Sequence, residues 1–291
     1  MKCLRLGLAV AVVLALGAAG ATARAGNPSA PHVLVIGDSV ATGMQWYPDA
    51  VAVLERGLEV EWQVAVCRRL VGVSCTFQGD TPPNLVGLVG SLGAVPPVVI
   101  VEMGYNDFAA TFAASVEQSI NALLQHGARQ ILWLTLRAVK HPYVDMNAAL
   151  AAAARRHPQL RLVDWNVYAR SHPDWFQSDG EHLVESGGVA MATLVHLAVD
   201  EVVNPLLITC STVAPARLGT PYAARLTASG GRKPYRWRLD GSPPAGLHLL
   251  ADGRMYGTPR RLQRVTLKVH VTDAEGQTAA RRLPLVVSPT P

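Results

Sequence analysis

His32-Val33-Leu34-Val35-Ile36 runs directly into Gly37-Asp38-Ser39-Val40. An apolar run without polar alternation describes a strand covered on both faces, as in parallel sheets packed between helices. Three runs of the same kind follow at helical spacing, Val98 to Val101, Ile131 to Leu134 and Leu160 to Val163, with Val60 to Val66 a weaker fifth. Between them lie helix-like stretches: Asp49 to Arg56, Asn84 to Leu92, Thr111 to His126 closed by Gly127, Val144 to His157 closed by Pro158, and Ser186 to Val203. Strand and helix alternate, which predicts an α/β sheet with helices on both faces. In such sheets ligands bind beyond the carboxyl ends of the strands, where both Ser39 and Asn106 fall.

Working outward from this core, the texture changes at both ends. Lys2 and Arg5 precede an apolar Leu/Ala/Val run and then small residues ending Ala21-Thr22-Ala23-Arg24-Ala25. That order is a secretory leader, expected over residues 1–25 and cut after Ala23 or Ala25, so a secreted, periplasmic or envelope location is expected. The later apolar segment from Val189 to Ile208 carries His196, Asp200, Glu201 and Pro205, so no transmembrane anchor is expected in the processed chain. After Pro205, Tyr235, Trp237 and Leu239 alternate with Arg236 and Arg238, and Val265, Leu267, Val269 and Val271 alternate with polar residues. Such alternation means half-buried antiparallel strands. Asp240-Gly241 and Asp252-Gly253 read as hairpin turns, and Pro284 suits an edge strand.

The 291 residues, 49% of them hydrophobic, are enough for a sizeable core and two domains, expected over 26–205 and 206–291. Residues 26–205 hold ten Lys or Arg against seventeen Asp or Glu, and residues 206–291 thirteen against four. The basic residues after Pro205 form a surface that serves solubility or holds an anionic envelope polymer, with no nucleic-acid partner expected.

Three short blocks carry the chemistry. A serine hydroxyl is a poor nucleophile until a base takes its proton, so Ser39 needs an imidazole, for which His182 is the candidate. In Asp179-Gly180-Glu181-His182, one tight turn can bring the Asp179 carboxylate against the far ring nitrogen, fixing the tautomer and stabilising the imidazolium. In Gly104-Tyr105-Asn106-Asp107, the Asn106 amide is a donor for the oxygen that becomes negative in a tetrahedral intermediate. The backbone amide of Ser39 is a second donor. Any one block alone reads as a turn or a helix cap; the set reads as catalysis.

These blocks resemble those of the SGNH (GDSL-type) hydrolases. Gly37-Asp38-Ser39-Val40 is similar to their first block, with Val in place of the usual Leu; Gly104-Tyr105-Asn106-Asp107 resembles their Gly-x-Asn-Asp block, and Asp179 to His182 their Asp-x-x-His block. The resemblance covers about Pro31 to Pro205. It implies a flavodoxin-like three-layer sandwich, ester hydrolysis, and a glycine amide as a further oxyanion donor, for which Gly72 is the nearest candidate and Gly79 an alternative. The C-terminal part, with Pro244-Ala245-Gly246-Leu247, Asp252 to Pro259 and Val271-Thr272-Asp273, resembles the immunoglobulin-like modules of bacterial surface proteins. That implies a non-catalytic all-β sandwich.

Cys67, Cys75 and Cys210 remain beyond the leader, and three pairings are open; Cys67 with Cys75 is the economical one because the loop between them is short. No cluster at zinc spacing and no phosphate-cradling glycine loop occurs, so neither metal nor cofactor is expected. The expected activity is removal of an acetyl or other short acyl group from a carbohydrate or similar small-molecule or polysaccharide ester. An acyltransferase using the same acyl-serine, and a catalytically silent envelope-binding or adhesion protein, are the alternatives.

Overall fold

The computed structural model describes residues 30–139 and 141–290, so the expected leader lies outside the described residues. The chain divides into two compact units, one over Pro28–Val202 and one that includes Val203–Pro291, beside the change of texture at Pro205.

In the first unit the opening apolar run is β1 (His32–Gly37), joined by β2 (Glu59–Val64), β3 (Val98–Glu102), β4 (Gln130–Leu134) and β5 (Leu160–Val163). They form one sheet in the order β2-β1-β3-β4-β5, parallel throughout. This is the doubly wound flavodoxin-like order, whose direction reverses at β1 and β3. The helices are α1 (Ser39–Trp46), α2 (Pro48–Leu54), α3 (Leu85–Leu92), α4 (Ala109–Gln125), α5 (His141–Arg156), α6 (Trp165–Tyr168) and α7 (Glu185–Val203).

Alternate strand residues point to opposite faces, and both faces are covered. Leu34, Ile36, Val99, Val101, Ile131 and Trp133 join one apolar cluster with side chains of α3, α4 and α5. Their neighbours Val33, Val35, Ile100 and Leu132 are as deeply buried. On that side α1 packs on β1 and β2. A Cβ on Gly188 of α7 would come within 2.8 Å of the Gly43 carbonyl oxygen of α1, so the two helices touch backbone to backbone. His196 of α7 meets the Leu54 carbonyl at the end of α2, 3.2 Å away. By length and composition α7 is apolar enough to cross a membrane. Its burial against α1 and α2 makes it a core helix.

Register decides where the loops emerge. Gly37 pairs with Val64 on one side and Glu102 on the other, so three strands end at one level. The segments after Gly37, Val64 and Glu102 therefore leave the sheet side by side.

The second unit contains β6 (Leu207–Ile208), β7 (Ala216–Arg217), β8 (Tyr222–Arg225), β9 (Ala228–Ser229), β10 (Arg236–Leu239), β11 (Leu247–Leu249), β12 (Arg254–Gly257), β13 (Gln263–Thr272) and β14 (Thr278–Ser288). They form sheets ordered β10-β13-β14-β7 and β11-β12-β8 and a pair β6-β9. Trp237 points inward while Arg236 and Arg238 stay exposed, as the alternation requires. Asp252-Gly253 turns the β11–β12 hairpin, but Asp240-Gly241 does not close one, because β10 pairs with β13 and the chain crosses to another sheet. Pro284 is tolerated because β7 pairs only with Val287 and Ser288, leaving that flank of β14 free of a strand.

Candidate active site

The site is assembled at the shared level where β1, β2 and β3 end. At Gly37 an added Cβ would lie 2.1 Å from the Ala41 Cβ, so only glycine lets α1 start this close to its strand. Asp38 then caps α1, its Oδ1 accepting from the Val40 amide at 3.0 Å. Its Oδ2 faces across to the next strand and accepts from the Gly104 and Tyr105 amides, each at 3.3 Å. One carboxylate thus holds the first block against the second. Gly104, at φ +142 with Leu136 and Phe112 side-chain atoms 3.0 to 3.1 Å from any added Cβ, belongs to the same close approach.

Ser39, the first residue of α1, meets His182, with Ser39 Oγ 3.0 Å from Nε2. On the other side of the ring, Nδ1 lies 2.6 Å from Asp179 Oδ2. Asp179 Oδ1 accepts the amides of Glu181 and His182 at 2.8 and 3.0 Å, which fixes the turn between the two side chains. The turn is closed by Gln177 donating its amide to the His182 carbonyl at 2.7 Å. Arg137 supports it from below, bonded to the Gly180 carbonyl and lying 3.6 Å over the Phe176 ring.

The electrostatics divide sharply. Partial burial would raise Asp179, but the Glu181 and His182 amides and the His182 ring outweigh it and pull the carboxyl down to about 2. That group is ionised and half-exposed. Asp38 is fully buried, and desolvation pushes it up to about 6 despite three amide donors. Glu102, next to it at the end of β3, is driven well above the carboxylate range by burial and by the Asp38 charge. Its Oε2 is buried without a hydrogen-bond partner among the described residues, surroundings that disfavour the charged form. Asp107 is pushed by burial up to about 7, against the Leu70 amide it accepts.

Asn106 lies beside this arrangement. Its Nδ2 donates to the Arg68 carbonyl at 3.4 Å, and its own carbonyl accepts Arg69 Nε at 2.8 Å. Cys67 and Cys75 form a disulfide, the economical pairing, and Cys75 Sγ lies 3.9 Å from Asn106 Oδ1. Gly72 is further along this loop; its carbonyl accepts Asn84 Nδ2 at 2.6 Å, and it does not line the cavity beside Ser39. Gly79 sits at the tip of a turn closed by Phe77 and Asp80. The residue with left-handed backbone nearest the end of β2 is Cys67, at φ 72.

A cavity of about 260 Å³ opens beside Ser39 and His182, lined also by Thr42, Gly43, Trp46 and Phe77. The sequence alone did not point to the placement of Asp38, Arg137, Trp46 and Phe77 around this site. For Trp46 a signal existed: Ser39, Thr42, Gly43 and Trp46 stand at i, i+3, i+4 and i+7, one face of a helix.

No family model matches the chain. Over 98 residues it is 32% identical to "Putative peptidoglycan O-acetyltransferase YrhL" of Bacillus subtilis, covering 33% of this chain and 14% of that protein. It is 30% identical over 98 residues to O-acetyltransferase OatA of Staphylococcus aureus, covering 33% of this chain and 15% of that protein. The chain thus matches about one-seventh of the length of these curated relatives. Among solved structures it is similar to Est24, a carbohydrate acetylesterase from Sinorhizobium meliloti, at TM-score 0.43 and 15% identity over 59% of this chain and 99% of that one. Esterase EstA from Pseudoalteromonas sp. gives TM-score 0.44 at 12% identity, over 59% and 97% of the two chains.

Proposed function

We propose that this chain is a serine esterase of the SGNH type that removes a short acyl group, such as acetyl, from a carbohydrate ester. The observation that carries this reading is the continuous contact from Ser39 Oγ through His182 to Asp179, at 3.0 and 2.6 Å. Ser39 Oγ attacks the ester carbonyl while His182 Nε2 takes its proton, and Asp179 stabilises the imidazolium. Asn106 and the Ser39 amide hold the oxyanion. As the tetrahedral intermediate collapses, His182 returns the proton to the departing alcohol, leaving acyl-Ser39; water, deprotonated by the same ring, then releases the acid. Ser39→Ala should lower kcat on p-nitrophenyl acetate by about 10⁴-fold or more and abolish labelling by an organophosphonate. An active or still-labelled variant overturns the assignment.

A second reading, acyl transfer to a sugar hydroxyl from the same acyl-serine, is favoured by the 30 to 32% identity to named O-acetyltransferases over about a third of the chain. Product analysis with and without an acceptor glycan separates the two. The leader-like N-terminus and the disulfide support work outside the cytoplasm. The C-terminal unit is read as a non-catalytic immunoglobulin-like module whose basic residues hold an anionic envelope polymer. Equal retention of the full chain and of a variant with Arg236, Arg238 and Arg254 changed to Ser on an anionic resin would refute that docking.

A further inference from the structure

We infer that the groove leading from Ser39 past Trp46 and Phe77 binds the alcohol part of the substrate as an oligosaccharide, with a sugar ring stacked on these two aromatic side chains. This deepens the esterase reading and rests on it. The floor of the groove is the single face of α1 that begins with Ser39 and ends with Trp46, so a substrate whose ester lies at the nucleophile extends along the helix toward the indole.

Trp46 is 68% exposed and Phe77 48%. Large apolar side chains left this open beside a nucleophile mark a binding surface more than a packing one. Phe77 is held ready. Its amide and carbonyl pair with those of Asp80 at 2.9 and 3.0 Å, Gln78 and Gly79 turning between them at φ 51 and 87. Below the turn, the Thr76 and Thr81 hydroxyls meet at 2.7 Å, and the Cys67–Cys75 disulfide ties the loop down. A preformed platform loses little conformational entropy on binding.

The chemistry of the far end selects the occupant. A second cavity, of about 410 Å³, shares Thr42, Trp46, Val66 and Phe77 with the first and adds Gln45, Gln78 and Asp80. An acyl chain there would gain contact with Val64, Ala65 and the two rings but would strip water from two amides and a carboxylate and return no hydrogen bond. A polyanion would meet Asp80. A sugar satisfies both demands, its C–H face lying on aromatic rings and its hydroxyls reaching the amides and the carboxylate.

The test compares O-acetylated cellotriose and O-acetylated chitotriose with the matching O-acetylated monosaccharides, by kcat/KM. At least one trisaccharide should be preferred by about tenfold or more, a preference that Trp46→Ala and Phe77→Ala both collapse and Trp46→Phe keeps. No trisaccharide preference, or one that survives both alanine variants, overturns the inference. So does a shift in acyl-length preference on p-nitrophenyl acetate against octanoate in Trp46→Ala, which would put the acyl chain in the groove. Calorimetric binding of the unacetylated trisaccharides to Ser39→Ala needs no chemistry and should weaken by about tenfold when Trp46→Ala is added. The groove assignment is refuted by no binding or by binding indifferent to Trp46, whereas an active or still-labelled Ser39→Ala refutes the esterase reading.

Discussion

Asp38 and Asp179 stand at opposite edges of the same site and accept the same number of hydrogen bonds. Asp38 takes the amides of Val40, Gly104 and Tyr105; Asp179 takes those of Glu181 and His182 and the His182 ring. Yet burial pushes the first up to about 6, while the second is drawn down to about 2. The donors are alike, so the surroundings make the difference: Asp38 is fully buried close to Glu102, while Asp179 is open to solvent. Opposite duties follow. Asp179 stays charged and can stabilise an imidazolium, whereas Asp38 is a tie between two loops.

If the duties divide this way, the sharpest break is at Asp179. Asp179→Asn should cut kcat by about 10² to 10⁴-fold, because the amide supports the wrong tautomer of His182. It should leave Tm within a few degrees, because a half-exposed ion pair contributes about 1 kcal/mol or less. A large fall in Tm with modest loss of rate would reverse the roles assigned to the two aspartates. Next in size is Asn106→Ala, expected to lower kcat by about 10² to 10³-fold with KM little changed, since an oxyanion donor acts mainly in the transition state. Loss confined to KM would remove Asn106 from the oxyanion.

Asp38→Asn should act on the other side of the comparison. An amide keeps one acceptor oxygen and turns an N–H toward amides that need an acceptor, leaving at least one buried donor unsatisfied at about 1 to 3 kcal/mol. Thermal unfolding should show a lowered Tm together with a moderate fall in kcat, as the Gly104 to Asn106 segment loosens. A fully stable variant would mean that the tie is redundant.

The sequence made one edge of the site plain and hid the other, for physical reasons. Asp179 and His182 are three residues apart, and their contact is a local turn. Asp38 reaches amides 66 and 67 residues away, a relation no local pattern records. The same divide runs through the fold. Val33 to Ile36 and Val98 to Val101 read as buried strands because both faces are covered, whereas β2 gave a weaker signal because it is an edge strand, its residues exposed or half-buried. After Ser39 the sequence leaves helix and turn both open because Thr42 and Gly43 are poor helix formers; the cap of α1 and the close approach of Gly188 hold it as a helix. Cys67 and Gly72 both take left-handed backbone in the loop after β2, at φ 72 and 76, so residue type alone does not single out an oxyanion donor there.

The smallest effect is the most discriminating, because its sign differs between the two aspartates. The folded value of Asp38, about 6, lies above its ordinary 3.8, so between these the native chain binds a proton that the unfolded chain releases. The stability Asp38 contributes is therefore fully present below about pH 4 and lost as pH rises through about 6. Around it sit Glu102, Asp107, Arg68 and His182, which interact with its charge, so the difference in Tm between native and Asp38→Asn reports Asp38 together with its coupling to them. That difference should shrink on going from about pH 4 to about pH 6. For Asp179, with a folded value of about 2 against an ordinary 3.8, the native chain releases its proton first, and the contribution is present above about pH 4 and lost as pH falls through about 2. Its Tm difference should grow with rising pH across that lower window, with small amplitude because solvent screens it. Slopes of the same sign would mean that the surroundings do not set these carboxyls apart, and the contrast between tie and triad member would lose its physical basis.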